Sequence, residues 1–131
     1  MHEWALAEAI VKCVRDAIGD RGGVKEVCVV VGELQNIDLD VLEWALSELS
    51  KGTRLERATF KFELEKVEFA CRSCGKRWSL SDVSLGDEER EAIHFIPELA
   101  HSFIKCPACG SPDFEVVRGR GVWIKYIKLE G

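Results

Sequence analysis

Two copies of the pattern Cys-x-x-Cys-Gly restrict what this chain can fold into more than any other feature. They are Cys71-Arg72-Ser73-Cys74-Gly75 and Cys106-Pro107-Ala108-Cys109-Gly110. A two-residue spacer folded as a turn puts both sulfurs of a pair on the same side, and the glycine lets the turn close with positive φ. Zinc needs four soft donors at tetrahedral corners, about 2.3 Å from the metal. Paired knuckles therefore predict a zinc ribbon with Cys71, Cys74, Cys106 and Cys109 as its ligands. Four thiolates leave no open position for water, so the expected metal is structural rather than catalytic. Disulfides would need an oxidising compartment. The start, Met1-His2-Glu3-Trp4, has no basic segment leading into an apolar run, so a secretory leader is not expected and the cytoplasm is. The two other cysteines, Cys13 and Cys28, fall in an expected helix and strand and read as small buried hydrophobes.

Around the knuckles the hydrophobic pattern predicts regular structure. Trp4, Ala7, Val11, Val14 and Ile18 recur at helical spacing over Met1 to Ile18, and Gly19 stops the run. Val24 to Leu34 is β-branched and predicts an interior strand. A second helix is expected from Asp40, with Glu43 as a capping-box partner, on a stripe of Leu39, Leu42, Leu46 and Leu49. Ala58 to Phe69 alternates Phe60, Phe62 and Leu64 with charged residues, which predicts one half-buried strand. Residues 71 to 110 are rich in turn formers and include a charged stretch, Asp87 to Glu91. Asp113 to Arg118 and Gly121 to Leu129 each read as a strand. A two-stranded sheet would cover two helices poorly, so the last strand is expected to rejoin the first sheet. The expected class is α+β: two helices on a three-stranded mixed sheet, interrupted by an inserted zinc ribbon. Domain limits are expected at residues 1–67 plus 120–131, and at 68–119.

Composition narrows function. In 131 residues, 47% hydrophobic and 31% charged, there is enough apolar matter for a core, which excludes disorder. No apolar run is long enough to cross a bilayer. A net charge of −5 argues against binding a phosphate backbone as the main activity. No nucleophile–base pair, phosphate loop or open metal site suggests an enzyme.

The first three residues are the other unusual feature. A free amine, the amides of residues 2 and 3, and the His2 imidazole can close five- and six-membered chelate rings around one metal. Such a nitrogen-rich plane suits square-planar Ni(II) or Cu(II). The first amides of a helix have no intrahelical acceptor, so giving one to a metal breaks no ladder bond. Because His2 is bulky, Met1 is expected to be retained. An ordinary solvent-exposed His2 is the alternative.

Met1-His2-Glu3, the two knuckles and Val31-Gly32-Glu33-Leu34 together closely resemble the HypA family of nickel metallochaperones in nickel–iron hydrogenase maturation. The resemblance covers nearly the whole chain. It implies that Met1, His2 and Glu3 carry nickel and that Cys71, Cys74, Cys106 and Cys109 carry zinc. It also implies a nickel-handling GTPase partner, HypB, and delivery to the hydrogenase large subunit, with no membrane involved. The long segment Asp87 to Ile104 departs from the shorter bacterial pattern and is similar to archaeal-type members, in which a histidine of the insert can complete the nickel plane. His94 matches that position, as ligand or as ordinary structural histidine. His101, beyond Pro97, can equally be satisfied by a backbone carbonyl. The competing reading is a zinc-ribbon adaptor for protein or nucleic acid, with no second metal.

Overall fold

The structure is a computed structural model that describes residues 2–96 and 99–131; Met1 and Pro97, both singled out above, lie outside them. The chain divides into two compact units. One comprises Met1–Val30, Ile37–Glu63 and Trp123–Gly131; the other comprises Val31–Asn36 and Leu64–Val122.

In the first unit, helix α1 (Glu3–Ile18) buries Ala7, Ile10, Val11, Val14 and Ile18. Two expectations fail on this helix. Trp4 is 43% exposed rather than part of the buried stripe. Cys13, expected in the core, is exposed, because it falls off the face defined by residues 7, 11, 14 and 18. Gly19 ends the helix at φ 53°, its amide bonding the Arg15 carbonyl at 3.1 Å, a backbone position that suits glycine. Helix α2 (Leu39–Ser50) packs against α1 and buries Leu42, Ala45 and Leu46. Its cap is Asp38, not Asp40 with Glu43 as expected. The Asp38 Oδ1 accepts from the amides of Asp40 (3.1 Å) and Val41 (3.2 Å), so Asp40 lies inside the first turn as a donor. Two acidic residues at one helix start are hard to rank from sequence, since either suits the dipole; the extended backbone of Asp38 decides it.

Strand β1 (Val24–Gly32) lies between β2 (Thr59–Glu65) and β6 (Val122–Leu129). It is buried along nearly its whole length, which is why it reads as a valine run rather than an alternation. Lys61 reaches Glu26 at 3.4 Å and Glu63 reaches Cys28 at 3.4 Å, so β1 and β2 advance together and are parallel. The Glu130 amide bonds the Gly23 carbonyl and Tyr126 bonds Glu26, so β6 runs the other way. The sheet is therefore mixed, with α2 in the crossover between its parallel strands, and the last strand does return to it.

The second unit has its own antiparallel sheet, in the order β4 (Arg77–Ser79), β3 (Glu68–Cys71), β5 (Phe114–Arg118). Phe69, Trp78 and Phe114 stack across its three strands with ring centroids 5.3 to 5.5 Å apart. The expected single strand Ala58–Phe69 is thus two strands in two sheets, broken at Lys66-Val67. The alternation changes phase at the break: Phe60, Phe62 and Leu64 share one parity, whereas Val67 and Phe69, buried in the second core, have the other, and Leu64 is 55% exposed instead of half-buried. The stretch read as merely charged, Asp87–Glu91, opens helix α3 (Asp87–Phe95); its acidic first turn suits the helix dipole, and Ile93 is its one buried residue. Such a short apolar contribution leaves little periodicity to read. A short helix, α4 (Ala100–Phe103), follows.

Val31-Gly32-Glu33-Leu34 has a physical job in this second unit. A Cβ on Gly32 would stand 2.4 Å from the Gly119 carbonyl oxygen, so only glycine permits the approach. The Leu34 amide bonds that same Gly119 carbonyl at 2.9 Å, and the Glu33 carboxylate accepts from the Val67 amide at 2.9 Å. Glu65 accepts from the Gly119 amide at 2.8 Å. Two carboxylates thus satisfy backbone donors where the chain leaves one sheet for the next.

Two outcomes follow for the first unit. Asp38→Ala should cost about 1 kcal/mol in urea unfolding, and Asp40→Ala clearly less. Tyr126, the sole tyrosine, bonds Glu26 at 2.5 Å, and that bond to a carboxylate pushes its hydroxyl up to about 12. The folded value exceeds the unfolded value of about 10, so this stabilisation is complete below pH ~10 and disappears as pH rises through the folded value. Absorbance titration at alkaline pH should show a midpoint near the raised value in folded protein and near the ordinary one in urea.

Candidate metal centre

Cys71 ends β3 and begins the first knuckle; Cys106 begins the second after α4. The two knuckles have the same backbone construction. The Gly75 amide bonds the Cys71 carbonyl at 3.0 Å, and the Gly110 amide bonds the Cys106 carbonyl at 2.8 Å. Gly75 and Gly110 have φ of 78° and 75°. The Cys71 amide takes the Lys76 carbonyl and the Cys106 amide the Ser111 carbonyl, closing each loop. Cys71 and Cys106 are buried with the aromatic core, whereas Cys74 and Cys109 face solvent.

These four sulfurs lie within 4.8 Å of one another. The pairs Cys71–Cys109 and Cys74–Cys106 are each 3.6 Å apart. Tetrahedral zinc with bonds of about 2.3 Å needs sulfur separations of about 3.8 Å, so the donor set fits the metal in number, type and spacing. The electrostatics point the same way. Amide hydrogen bonds from Cys74 and Ser73 draw the Cys71 thiol down to about 6 against the effect of burial. Cys109 goes up to about 12: the Ser111 amide pulls it down, but its bond with Cys71, burial and the remaining thiols outweigh that. Burial pushes Cys106 up, yet the Cys109 and Ala108 amides bring it below its ordinary value. Cys74 is raised despite the Lys76 amide, chiefly by Cys106. In each close pair one thiol is therefore lowered and its partner raised, so that the partner keeps its proton more firmly. A dication would displace those protons and collect all four as thiolates.

The nitrogen-rich end is arranged differently. His2 is exposed and is the N-cap residue of α1, with φ −97° and ψ 8°; its side chain makes no cap bond, and its carbonyl accepts from Leu6 at 2.9 Å. Glu3, by contrast, is 4% exposed, and its Oε2 accepts from the Asp38 amide at 3.0 Å. Burial pushes its carboxyl up, and hydrogen bonds, Asp38's among them, pull it further down, to a net value below the ordinary range. Glu3 thereby ties the chain start to the cap of α2. Met1 lies outside the described residues.

The two insert histidines separate. His101 Nδ1 lies 2.8 Å from the Pro112 carbonyl, and its ring packs on Phe114 with centroids 4.3 Å apart. A carbonyl can only accept, so Nδ1 carries a proton and donates it to Pro112. His94 lies on α3, half-buried, with its ring against Phe95. Among the described residues, the four cysteines are the one cluster of metal-donor side chains. The sequence reading had no role for Glu33 and Glu65, which hold the backbone beside Gly119; only long-range contacts reveal them.

No helix among the described residues is long and apolar enough to cross a membrane. The family model for hydrogenase/urease nickel incorporation metallochaperones, HypA, matches residues 1–129. A hydrogenase maturation factor HypA of Pyrococcus horikoshii is 52% identical over 134 residues, covering 99% of this chain and 96% of that protein. The factor of the same name from Methanothermobacter thermautotrophicus is 40% identical over 132 residues, covering 99% and 98%. In fold, the solution structure of the nickel metallochaperone HypA from Helicobacter pylori matches with a TM-score of 0.63 at 15% identity, covering 98% of this chain and 97% of that one. Matched from end to end at this identity, with its four cysteines gathered as a structural zinc site requires, the chain belongs to the HypA family of nickel-incorporation metallochaperones.

Proposed function

We propose that this protein binds Ni(II) as cargo at its amino terminus and passes it, together with a HypB-type GTPase in the cytoplasm, to the hydrogenase large subunit. The observation that carries this reading is the exposed His2 at the N-cap of α1, in a chain matched by the family over residues 1–129. The plane would be built from nitrogen: the His2 imidazole, main-chain nitrogens of residues 2 and 3, and the Met1 amine. Glu3 would act through its main-chain nitrogen, since its carboxylate already holds the Asp38 amide. His94 is proposed as a further donor from the insert. The protein does no bond chemistry on nickel in this reading; it selects, holds and releases the ion.

Zinc would be held by Cys71, Cys74, Cys106 and Cys109 and would supply a cross-link between two segments distant in sequence. Those segments carry β3 and β5, whose pairing places Cys71 opposite Phe114. The protein's own contribution is to orient the four sulfurs and to lower the protonation of Cys71 and Cys106 before metal arrives.

Native mass spectrometry of protein supplied with nickel should show one zinc and one nickel. Zinc alone would favour an adaptor that uses no second metal. In calorimetric titrations His2→Ala should weaken nickel binding by about 100-fold or more, beyond what loss of a supporting residue costs. An unchanged affinity would sink the amino-terminal site. His94→Ala should weaken it less, and no change there removes His94 while leaving the chaperone reading intact. Lowering the pH should release nickel, because amine, amide and imidazole must all be deprotonated to bind.

Removing zinc should act on the second unit. A strong chelator, or Cys74→Ser with Cys109→Ser, should abolish the near-ultraviolet circular dichroism of buried Trp78 while far-ultraviolet helix signal is largely kept. Retention of both signals in metal-free protein would show that the aromatic core holds this unit without the metal.

A further inference from the structure

The first unit exposes an aromatic patch that its own core does not need. Trp4 on α1 and Trp44 on α2 are 43% and 58% exposed, with ring centroids 5.7 Å apart at 48°. Val41, one turn before Trp44, is 43% exposed and extends the patch. Tryptophan is the side chain most enriched at the energetic centres of protein interfaces, and two packed on each other in water give up much favourable burial.

The surroundings define the partner. Helical spacing puts Asp40 and Glu48 on the turns either side of Trp44, and Glu8 one turn beyond Trp4. From Asp38 to Ser50 the charged residues are Asp38, Asp40, Glu43 and Glu48, with no lysine or arginine before Lys51. An apolar centre with a carboxylate rim complements a surface of the opposite sign. Arginine or lysine there could pair with the rim and sit over the indole faces. A second copy of this chain would bring the same carboxylates against themselves, on a chain already carrying −5.

We propose that the Trp4–Trp44–Val41 patch is the docking surface for a protein partner that presents an apolar side chain ringed by lysine and arginine. Docking there places the partner beside His2, two residues from Trp4, so the same contact that selects the partner brings it to the cargo. The proposal rests on the nickel reading above and takes the partner to be the GTPase of that reading.

Complex formation with the purified HypB-type GTPase, followed by biolayer interferometry, tests it. Trp44→Ala should weaken the complex by about 30-fold or more, the scale of an interface centre. Glu43→Lys with Asp40→Lys should slow association and flatten its dependence on salt. In both variants nickel affinity should stay at the wild-type value, which separates failure of the surface from failure of the metal site. Equal binding by wild type and Trp44→Ala overturns the proposal, as does a wild-type chain that does not bind the GTPase at all. Sedimentation velocity supplies the remaining outcome: a homodimer abolished by Trp44→Ala would assign the patch to a second copy and overturn it too.

Discussion

Four sulfurs drawn within 4.8 Å of each other are a repulsive arrangement unless something positive, a proton or a metal, is shared among them. The second unit is organised around that constraint. Its knuckle amides lower the thiols of Cys71 and Cys106, whereas their neighbours Cys109 and Cys74 are raised. The two low-lying thiols are the buried ones, sealed by the Phe69–Trp78–Phe114 cluster, and the two raised ones face water. A dication bound there would take all four sulfurs as thiolates and release their protons to water. Metal chemistry and core packing are in this way one interaction, since Cys71 and Cys106 belong to both.

The first unit solves a different problem. The first amides of a helix have no intrahelical acceptor, and the start of α1 has to be positioned from outside the helix. Here the end is tied down one residue beyond His2, by the buried Glu3 carboxylate on the Asp38 amide. Asp38 itself caps α2, so a single short segment both starts the second helix and anchors the start of the first. The His2 imidazole stays exposed while its neighbour is fixed.

Much of this was legible in the residues. The knuckles, the valine strand, the amphipathic first helix and the return of the last strand all rest on local chemistry or simple periodicity, and each is present, with the strand ending at Gly32 rather than Leu34 and Trp4 off the buried face of the helix. The failures are of another kind. Ala58–Phe69 reads as one alternating run only if the change of phase at Lys66-Val67 is passed over; that one-residue shift turns Val67 and Phe69 to a different core. Trp4 and Cys13 were assigned to a buried face by residue type, although burial depends on which face the neighbouring helix occupies. The pairing of Asp40 with Glu43 marks the helix start too late, because Asp38 is also acidic and only its extended backbone identifies it as the cap. The helix over Asp87–Phe95 was hidden by having a single buried side chain.

The chemistry of the four-cysteine site is written in the residues: donor identity and spacing are covalent facts, so a thiolate set of this kind is specified before any fold exists. Tertiary structure decided everything that depends on which distant residue arrives. It gave Glu33 and Glu65 their backbone partners, assigned His101 to the Pro112 carbonyl, and left Trp4 and Trp44 side by side at the surface. The physical reason is range: coordination preferences act through bonds and turns of a few residues, whereas burial and hydrogen-bond satisfaction are settled only by the packing of segments that the chain itself keeps far apart.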